Sequence, residues 1–290
     1  KKTGKEYSLS TNSDLYQYNI ETGETKNLTE GMMGYDTCPR FSKSGRYLAW
    51  LSMEHDGYES DMNRIFIMDM QTGEKKHLTS EWDYAADNIE WSPNEKAIYF
   101  TAPYLGCTPM FKIDIENLKI DTVASGEYDY AAIVPVNDDT IITLRHSLQE
   151  PNELYVISNG KTSKLSNVND ELLAQLNNVT VNKVMVPTTD GKEMTTWVVL
   201  PPNFDSSKNY PAILYCQGGP QQPVSQFWSY RWNLRLMASQ GYIVIAPNRR
   251  GLPGFGSEWN AQISGDYPGQ SMKDYLAAVD FMKKEPYVDA

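Results

Sequence analysis

The first part of this chain repeats itself, and the repeat restricts the fold more than any other feature of the sequence. Residues 14–29 (DLYQYNIETGETKNLT), 64–79 (RIFIMDMQTGEKKHLT) and 110–123 (MFKIDIENLKIDTV) share one pattern: an alternating strand, a polar turn, then a second short strand. A weaker copy occupies residues 153–165 (ELYVISNGKTSKL). Between these copies runs a second unit, at residues 40–52 (RFSKSGRYLAWLS) and 90–101 (EWSPNEKAIYFT), in which an aromatic residue and a serine precede a turn and a strand. Residues 131–144 read as a degraded third copy. The steps are 50 residues from Phe41 to Trp91 and 45 from Phe66 to Phe111, the range in which four-stranded propeller blades recur. A blade has a buried face on either side, so neighbours must stack and the ring must close. Residues 1–178 hold about three and a half WD40-like blades, which do not close a ring, so further blades are expected upstream of Lys1. A β-sandwich is the alternative, but its strands rarely repeat at this period with a matching turn.

The pattern changes after Asn178, and residues 179–290 are expected to form a second domain. Residues 179–186 and 195–200 predict two strands joined by an Asp190-Gly191 turn and closed by Pro201-Pro202. Residues 210–216 (YPAILYC) and 241–247 (GYIVIAP) are continuous apolar runs, as parallel strands buried on both faces require. Between them, residues 230–240 (YRWNLRLMASQ) predict a helix that ends at Gly241. Residues 271–284 predict another, with Met272, Leu276, Val279 and Met282 on its apolar stripe and Pro286 as its stop. Strand, helix, strand, helix is the order of an α/β domain.

Composition narrows the function classes. With 26 Lys plus Arg against 37 Asp plus Glu, the net charge is −11, which opposes contact with phosphate backbones and anionic lipid. Nucleic acid is therefore excluded as an expected partner. No apolar run reaches the length of a membrane span, and residues 1–10 are polar, with no apolar leader segment. Cys38, Cys107 and Cys216 are odd in number and far apart, with no CxxC. They are read as core thiols rather than a zinc site or a disulfide framework, and no metal or cofactor is expected.

The strand that enters Gly218-Gly219-Pro220 would place backbone amides at the carboxyl edge of a parallel sheet, where open α/β sheets bind ligands. Such amides can form an oxyanion hole, although the same three residues also suit a plain tight turn. Taken alone, the three residues leave both readings open. YPAILYCQGGPQQ followed by GYIVIAPNRRGLPGFGSEW resembles the hydrolase domain of the prolyl oligopeptidase family, and in particular its bacterial dipeptidyl peptidase branch. The likeness takes in the preceding propeller, the Asn248-Arg249-Arg250-Gly251 turn, Gly254, Gly256 and the helix containing Asp274.

This resemblance implies a partial β-propeller followed by part of an α/β-hydrolase domain, and a serine-type exopeptidase that releases dipeptides from peptide amino termini. It also implies that the catalytic Ser, Asp and His lie beyond Ala290, since no GxSxG occurs and His55, His77 and His146 fall among the blades. No catalytic residue is expected within the chain, which alone should be inactive. For the oxyanion hole the family offers a tyrosine hydroxyl or backbone amide near the Gly-Pro, where this chain has Gln217 and Gly218. Trp228, Tyr230 and Trp232, with Arg249, are candidates to line the substrate cleft, against the alternative that the aromatics pack the core. Arg250 is read as a structural partner of a helix carboxylate such as Asp274. The partner implied is a peptide substrate. The resemblance points to the periplasm or secretion, with the cytoplasm as the alternative, and admits a homodimer. Two other functions remain open: a propeller that docks peptides, and an acyl-peptide hydrolase or esterase.

Overall fold

The computed structural model describes residues 4–219 and 221–289. Pro220, the last residue of the Gly-Gly-Pro turn, and Ala290 lie outside the described residues.

The repeats become antiparallel sheets. β1 (Tyr16–Tyr18) and β2 (Thr25–Asn27) form a two-stranded ribbon. β3 (Asp36–Phe41), β4 (Tyr47–Ser52), β5 (Arg64–Asp69) and β6 (Lys75–His77) follow one another in a four-stranded sheet. β7 (Asp87–Trp91), β8 (Ala97–Thr101), β9 (Met110–Asp114) and β10 (Ile120–Ala124) make the next, and β11 (Asp129–Asn137), β12 (Thr140–Ser147), β13 (Glu150–Ser158) and β14 (Lys161–Lys164) the third. The polar residues of the repeat explain its spacing. Ser42 Oγ accepts from the Tyr47 amide at 3.2 Å, and Ser92 Oγ accepts from the Ala97 amide at 3.0 Å, so each serine closes the turn between the first two strands of its sheet. The next turn has its own device. Asn19, Asp69 and Asp114 each accept from the amides two and three residues on, a side-chain mimic of a backbone turn. In the first two of these sheets the second strand is the most buried: β4 is buried at every residue after Tyr47, and β8 is buried throughout.

The chain divides into two compact units: Lys1–Ala102 with Met110–Val123 and Ile133–Ile141, and Pro103–Pro109 with Ala124–Ala132 and Ile142–Ala290. Within the second unit the loop after β8 is held by the α/β elements: the Leu105 amide donates to Gly254 O at 2.9 Å, and Trp197 Nε1 donates to Gly106 O at 3.1 Å. Gly106 has φ +82°, and a Cβ there would meet Thr195 and Trp197 atoms at 3.2 Å, so this approach needs glycine.

The second unit also contains a five-stranded sheet in the order β15-β16-β18-β17-β19, from β15 (Thr180–Pro187), β16 (Glu193–Leu200), β17 (Tyr210–Leu214), β18 (Ile243–Pro247) and β19 (Val288–Asp289). α1 (Asp170–Leu173) precedes it, and α2 (Leu234–Ser239), α3 (Ser257–Ala261) and α4 (Gln270–Met282) lie between its strands. β15, β16 and β18 pair antiparallel, while β17 runs parallel to β18 and to β19. Alternation along the strands builds two cores. Trp197, Val199, Val244 and Ala246 pack with Leu234 and Ala238 of α2, whereas Val198, Leu200, Ile243 and Ile245 pack with Ala278 and Met282 of α4. α2 and α4 therefore cover opposite faces of the sheet.

Three expectations need correction. β18 is buried throughout, but Pro211 and Ala212 of β17 are exposed: β19 reaches only as far as Pro211, and beyond it that edge of β17 has no neighbouring strand among the described residues. On α4 the buried face is Ser271, Asp274, Ala278 and Met282, while Met272 and Leu276 are exposed, because the helix turns a carboxylate inward. Of the cysteines only Cys107 is buried; Cys38 and Cys216 are exposed.

Candidate active site

β17 leads to α2 on one face of the sheet, and β18 leads to α4 on the other. The crevice between the carboxyl ends of two such strands is the topological switch point at which open α/β sheets bind ligands. A pocket of about 570 Å³ opens at this end of β17, lined by Tyr215, Cys216, Gln217, Gly218, Trp232 and Met237 among others. Gly218 is exposed, and a Cβ built on it would meet nothing within 4 Å. Gly219 has φ +122°, in the region that favours glycine. Thus Gln217 and Gly218 both face the pocket.

The sequence candidates for the cleft separate. Trp232, 52% exposed, lines the pocket. Tyr230 is 87% exposed and meets Trp228 edge-on, with ring centroids 6.1 Å apart; neither lines the pocket. The structure buries Arg249 instead of presenting it to a ligand. Arg249 Nη2 donates to Gln217 O at 3.2 Å, Nη1 to Arg250 O at 2.7 Å, and Nε to Tyr275 Oη at 3.2 Å. Tyr275 Oη in turn donates to Gln217 O at 3.2 Å. Burial raises the pKa of the Tyr275 hydroxyl, and the Arg249 hydrogen bond offsets part of that rise. Nothing in the local sequence marks Tyr275; the one available signal is its place beside Asp274 on α4.

Arg250 supports the same end of the sheet from below. Its amide and Nε donate to Asp274 Oδ2 at 2.8 and 3.0 Å, and its Nη1 and Nη2 each reach Asp190 at 2.7 Å. The guanidinium lies over Trp259, 4.2 Å from the ring centroid. Hydrogen bonds from Arg250 hold the Asp190 carboxyl well below the usual carboxylate range. Gly251 follows with φ +92°, and a Cβ there would sit 2.7 Å from Ile263 Cβ. Asn248 completes the turn, accepting from the Val224 amide at 3.0 Å and donating to Val224 O at 2.8 Å.

One Ser-Asp-His cluster occurs elsewhere in this unit. Ser225 Oγ donates to Asp129 Oδ2 at 2.5 Å, and His146 Nε2 lies 3.6 Å from the same oxygen. Here the carboxylate, not the imidazole, is bonded to the serine, and Ser225 and Asp129 are buried. With the imidazole on the far side of the carboxylate, the cluster lacks the serine–histidine bond of a catalytic triad, and it is a packing knot.

No residue group fit to hold a metal occurs among the described residues. What this end of the sheet can do is donate backbone hydrogen bonds, from Gly218 outward, to an oxygen that gains negative charge.

Residues 228–290 match the family model described as the prolyl oligopeptidase family. Over the whole chain the sequence is 55% identical to a dipeptidyl-peptidase 5 of Porphyromonas gingivalis and 52% identical to one of Porphyromonas endodontalis. The chain spans 42% of the length of each of these relatives. Among solved structures, the acylaminoacyl peptidase of Pyrococcus horikoshii superposes with a TM-score of 0.80 at 22% identity, over 95% of this chain and 42% of that one. The fold is accordingly β-propeller blades followed by α/β-hydrolase elements.

Proposed function

This chain belongs to the prolyl oligopeptidase family, and on that premise we propose that it supplies blades and the first hydrolase strands of a serine-type exopeptidase that releases dipeptides from peptide amino termini. The observation that carries this reading is Gly218, exposed at the carboxyl end of a parallel strand, in a pocket at the switch point of the sheet. In acyl transfer the nucleophile's oxygen bonds to the substrate carbonyl carbon, the carbonyl π pair moves to its oxygen, and a base takes the hydroxyl proton. The Gly218 N–H is the donor this chain offers to that oxygen. Such a donor is worth about 3 to 4 kcal/mol of barrier when it is already in place. The nucleophile and base come from residues outside these 290, which contain no GxSxG.

The relatives named dipeptidyl-peptidase 5 support the dipeptide as the unit released. The test is hydrolysis by the full-length protein of a dipeptidyl amide with a free amino terminus, beside the same compound acetylated and a simple acyl ester. Release confined to the free amine supports the proposal. Preference for the acetylated compound or for the ester refutes it in favour of an acyl-peptide hydrolase or an esterase. Family likeness also supports export to the periplasm or beyond, and a homodimer; cell fractionation and light scattering test the two.

A further inference from the structure

We infer that Arg249 and Tyr275 are positioning residues that aim the Gly218 N–H, a role that rests on the acyl-transfer reading above. The peptide joining Gln217 to Gly218 carries two polar groups, the Gln217 carbonyl and the Gly218 amide. In a trans peptide these point in opposite directions across a rigid plane. Whatever fixes the carbonyl therefore fixes the amide.

The carbonyl has two side-chain donors. Arg249 Nη2 and Tyr275 Oη each reach Gln217 O at 3.2 Å, one from the turn after β18 and one from α4. The donors are also tied to each other, through Arg249 Nε and Tyr275 Oη at 3.2 Å, and Arg249 is anchored by its bond to Arg250 O at 2.7 Å. The three groups make a closed triangle on one side of the peptide. The Gly218 N–H must point to the other side, at a residue that lines the pocket. A glycine needs such restraint, since it has no side chain to hold its backbone and ranges over more φ,ψ space than any other residue. A preorganised donor costs nothing to reorient as charge develops, whereas a mobile one must first be turned.

Arg249 also meets the requirement for a charged donor. Its guanidinium pulls on the carbonyl oxygen, which polarises the peptide and makes the N–H a stronger donor. Neither side chain touches the reacting atoms, so the effect is on the transition state and not on substrate affinity.

The experiment uses the full-length protein with Tyr275→Phe, which removes one donor and keeps the ring, and Arg249→Lys, which keeps the charge but loses the fork. For Tyr275→Phe, kcat on a dipeptidyl amide should fall about 10-fold, the factor equivalent to one net hydrogen bond, with KM within about 2-fold. Affinity for a dipeptidyl boronic acid, which becomes tetrahedral on the nucleophile, should fall by the same factor, while affinity for the product dipeptide stays unchanged. Arg249→Lys should fall further on both measures. An unchanged kcat in both variants, or a loss confined to KM or to thermal stability, overturns the inference. Wild-type activity separates this failure from that of the parent reading. If the wild type cleaves neither the amide nor an acyl ester, the acyl-transfer reading falls and the inference with it. If it cleaves only the ester, the peptidase reading falls, and the same kcat comparison on the ester still decides the clamp.

Discussion

Removing the Asp274 carboxylate tests how the second unit is held together. Arg250 and Asp274 have side chains 1% and 0% exposed, and Asp274 receives three bonds from Arg250 and a fourth from Gln270. Breaking a buried pair by deleting one partner costs about 3–5 kcal/mol, because a charge is left in a medium that solvates it poorly. In Asp274→Ala the residual charge still has Asp190, bonded at 2.7 Å by both terminal nitrogens but with a side chain 39% exposed. The loss should therefore lie at the lower end, about 3 kcal/mol, equivalent to a Tm about 6–12 °C lower for a domain of this size. Urea unfolding followed by Trp fluorescence is the assay, since Trp259 lies directly beneath the guanidinium. The double variant Arg250→Met/Asp274→Leu leaves no buried charge and should recover part of the loss. Recovery will be incomplete because the Arg250 amide, which donates to Asp274, loses its acceptor, at about 1–3 kcal/mol. A single variant that costs under about 1 kcal/mol, or a double variant worse than the single, refutes the reasoning.

Gly251→Ala should destabilise by more than about 3 kcal/mol, since its φ is +92° and the new methyl meets Ile263 at 2.7 Å, whereas Gly218→Ala should fold normally because its Cβ meets nothing; thermal melts of the two compare directly. Ser92→Ala should cost about 1–2 kcal/mol through the unpaired Ala97 amide, and a similar loss in Ser42→Ala would establish the repeated turn role. Glu153 is buried, which opposes its ionisation, but hydrogen bonds from Ser166, Asn169 and the Val168 amide hold its pKa down to about 2. Its folded value lies below the unfolded one, so its stabilisation is complete above about pH 4.3 and is lost as pH falls toward 2. Urea midpoints measured from pH 6 to 2.5 should fall more steeply in the wild type than in Glu153→Gln.

How far the sequence was legible depended on whether a signal was local. The blades were legible because each turn is closed within its own repeat: Ser42 and Ser92 bond five residues ahead, and Asn19, Asp69 and Asp114 bond two and three ahead. β15, β16 and the Asp190-Gly191 turn were readable for the same reason. α2 proved shorter than predicted because Asn233 caps it, its side chain accepting from the Leu236 amide, which leaves Tyr230 and Trp232 ahead of the helix. The apolar stripe of α4 misled because hydrophobicity alone cannot show that a buried aspartate awaits it 24 residues after an arginine. The oxyanion candidate was visible as Gly218, but its supports were not: Arg249 and Tyr275 lie 32 and 58 residues from Gln217 and meet it only after the sheet has formed.

Arg249 and Arg250 show why the two kinds of signal belong together. Both follow β18 in the turn that begins at Asn248, and the two guanidiniums serve different neighbours. Arg250 ties α4 to the β15–β16 turn through Asp274 and Asp190. That turn stands beside the end of β18 because Thr196 of β16 pairs with Pro247. Arg249 ties the same turn after β18 to the end of β17, and Tyr275, the next residue after Asp274, closes the circuit. Four segments that meet only at the carboxyl end of the sheet are thus joined by two consecutive arginines and two consecutive helix residues. The buried pair fixes α4 relative to β18, which sets where Tyr275 can reach, and Tyr275 with Arg249 sets the plane of the peptide before Gly218. The contacts that stabilise this unit and those that aim its backbone donor are distinct but adjacent, one residue apart on both the turn and the helix.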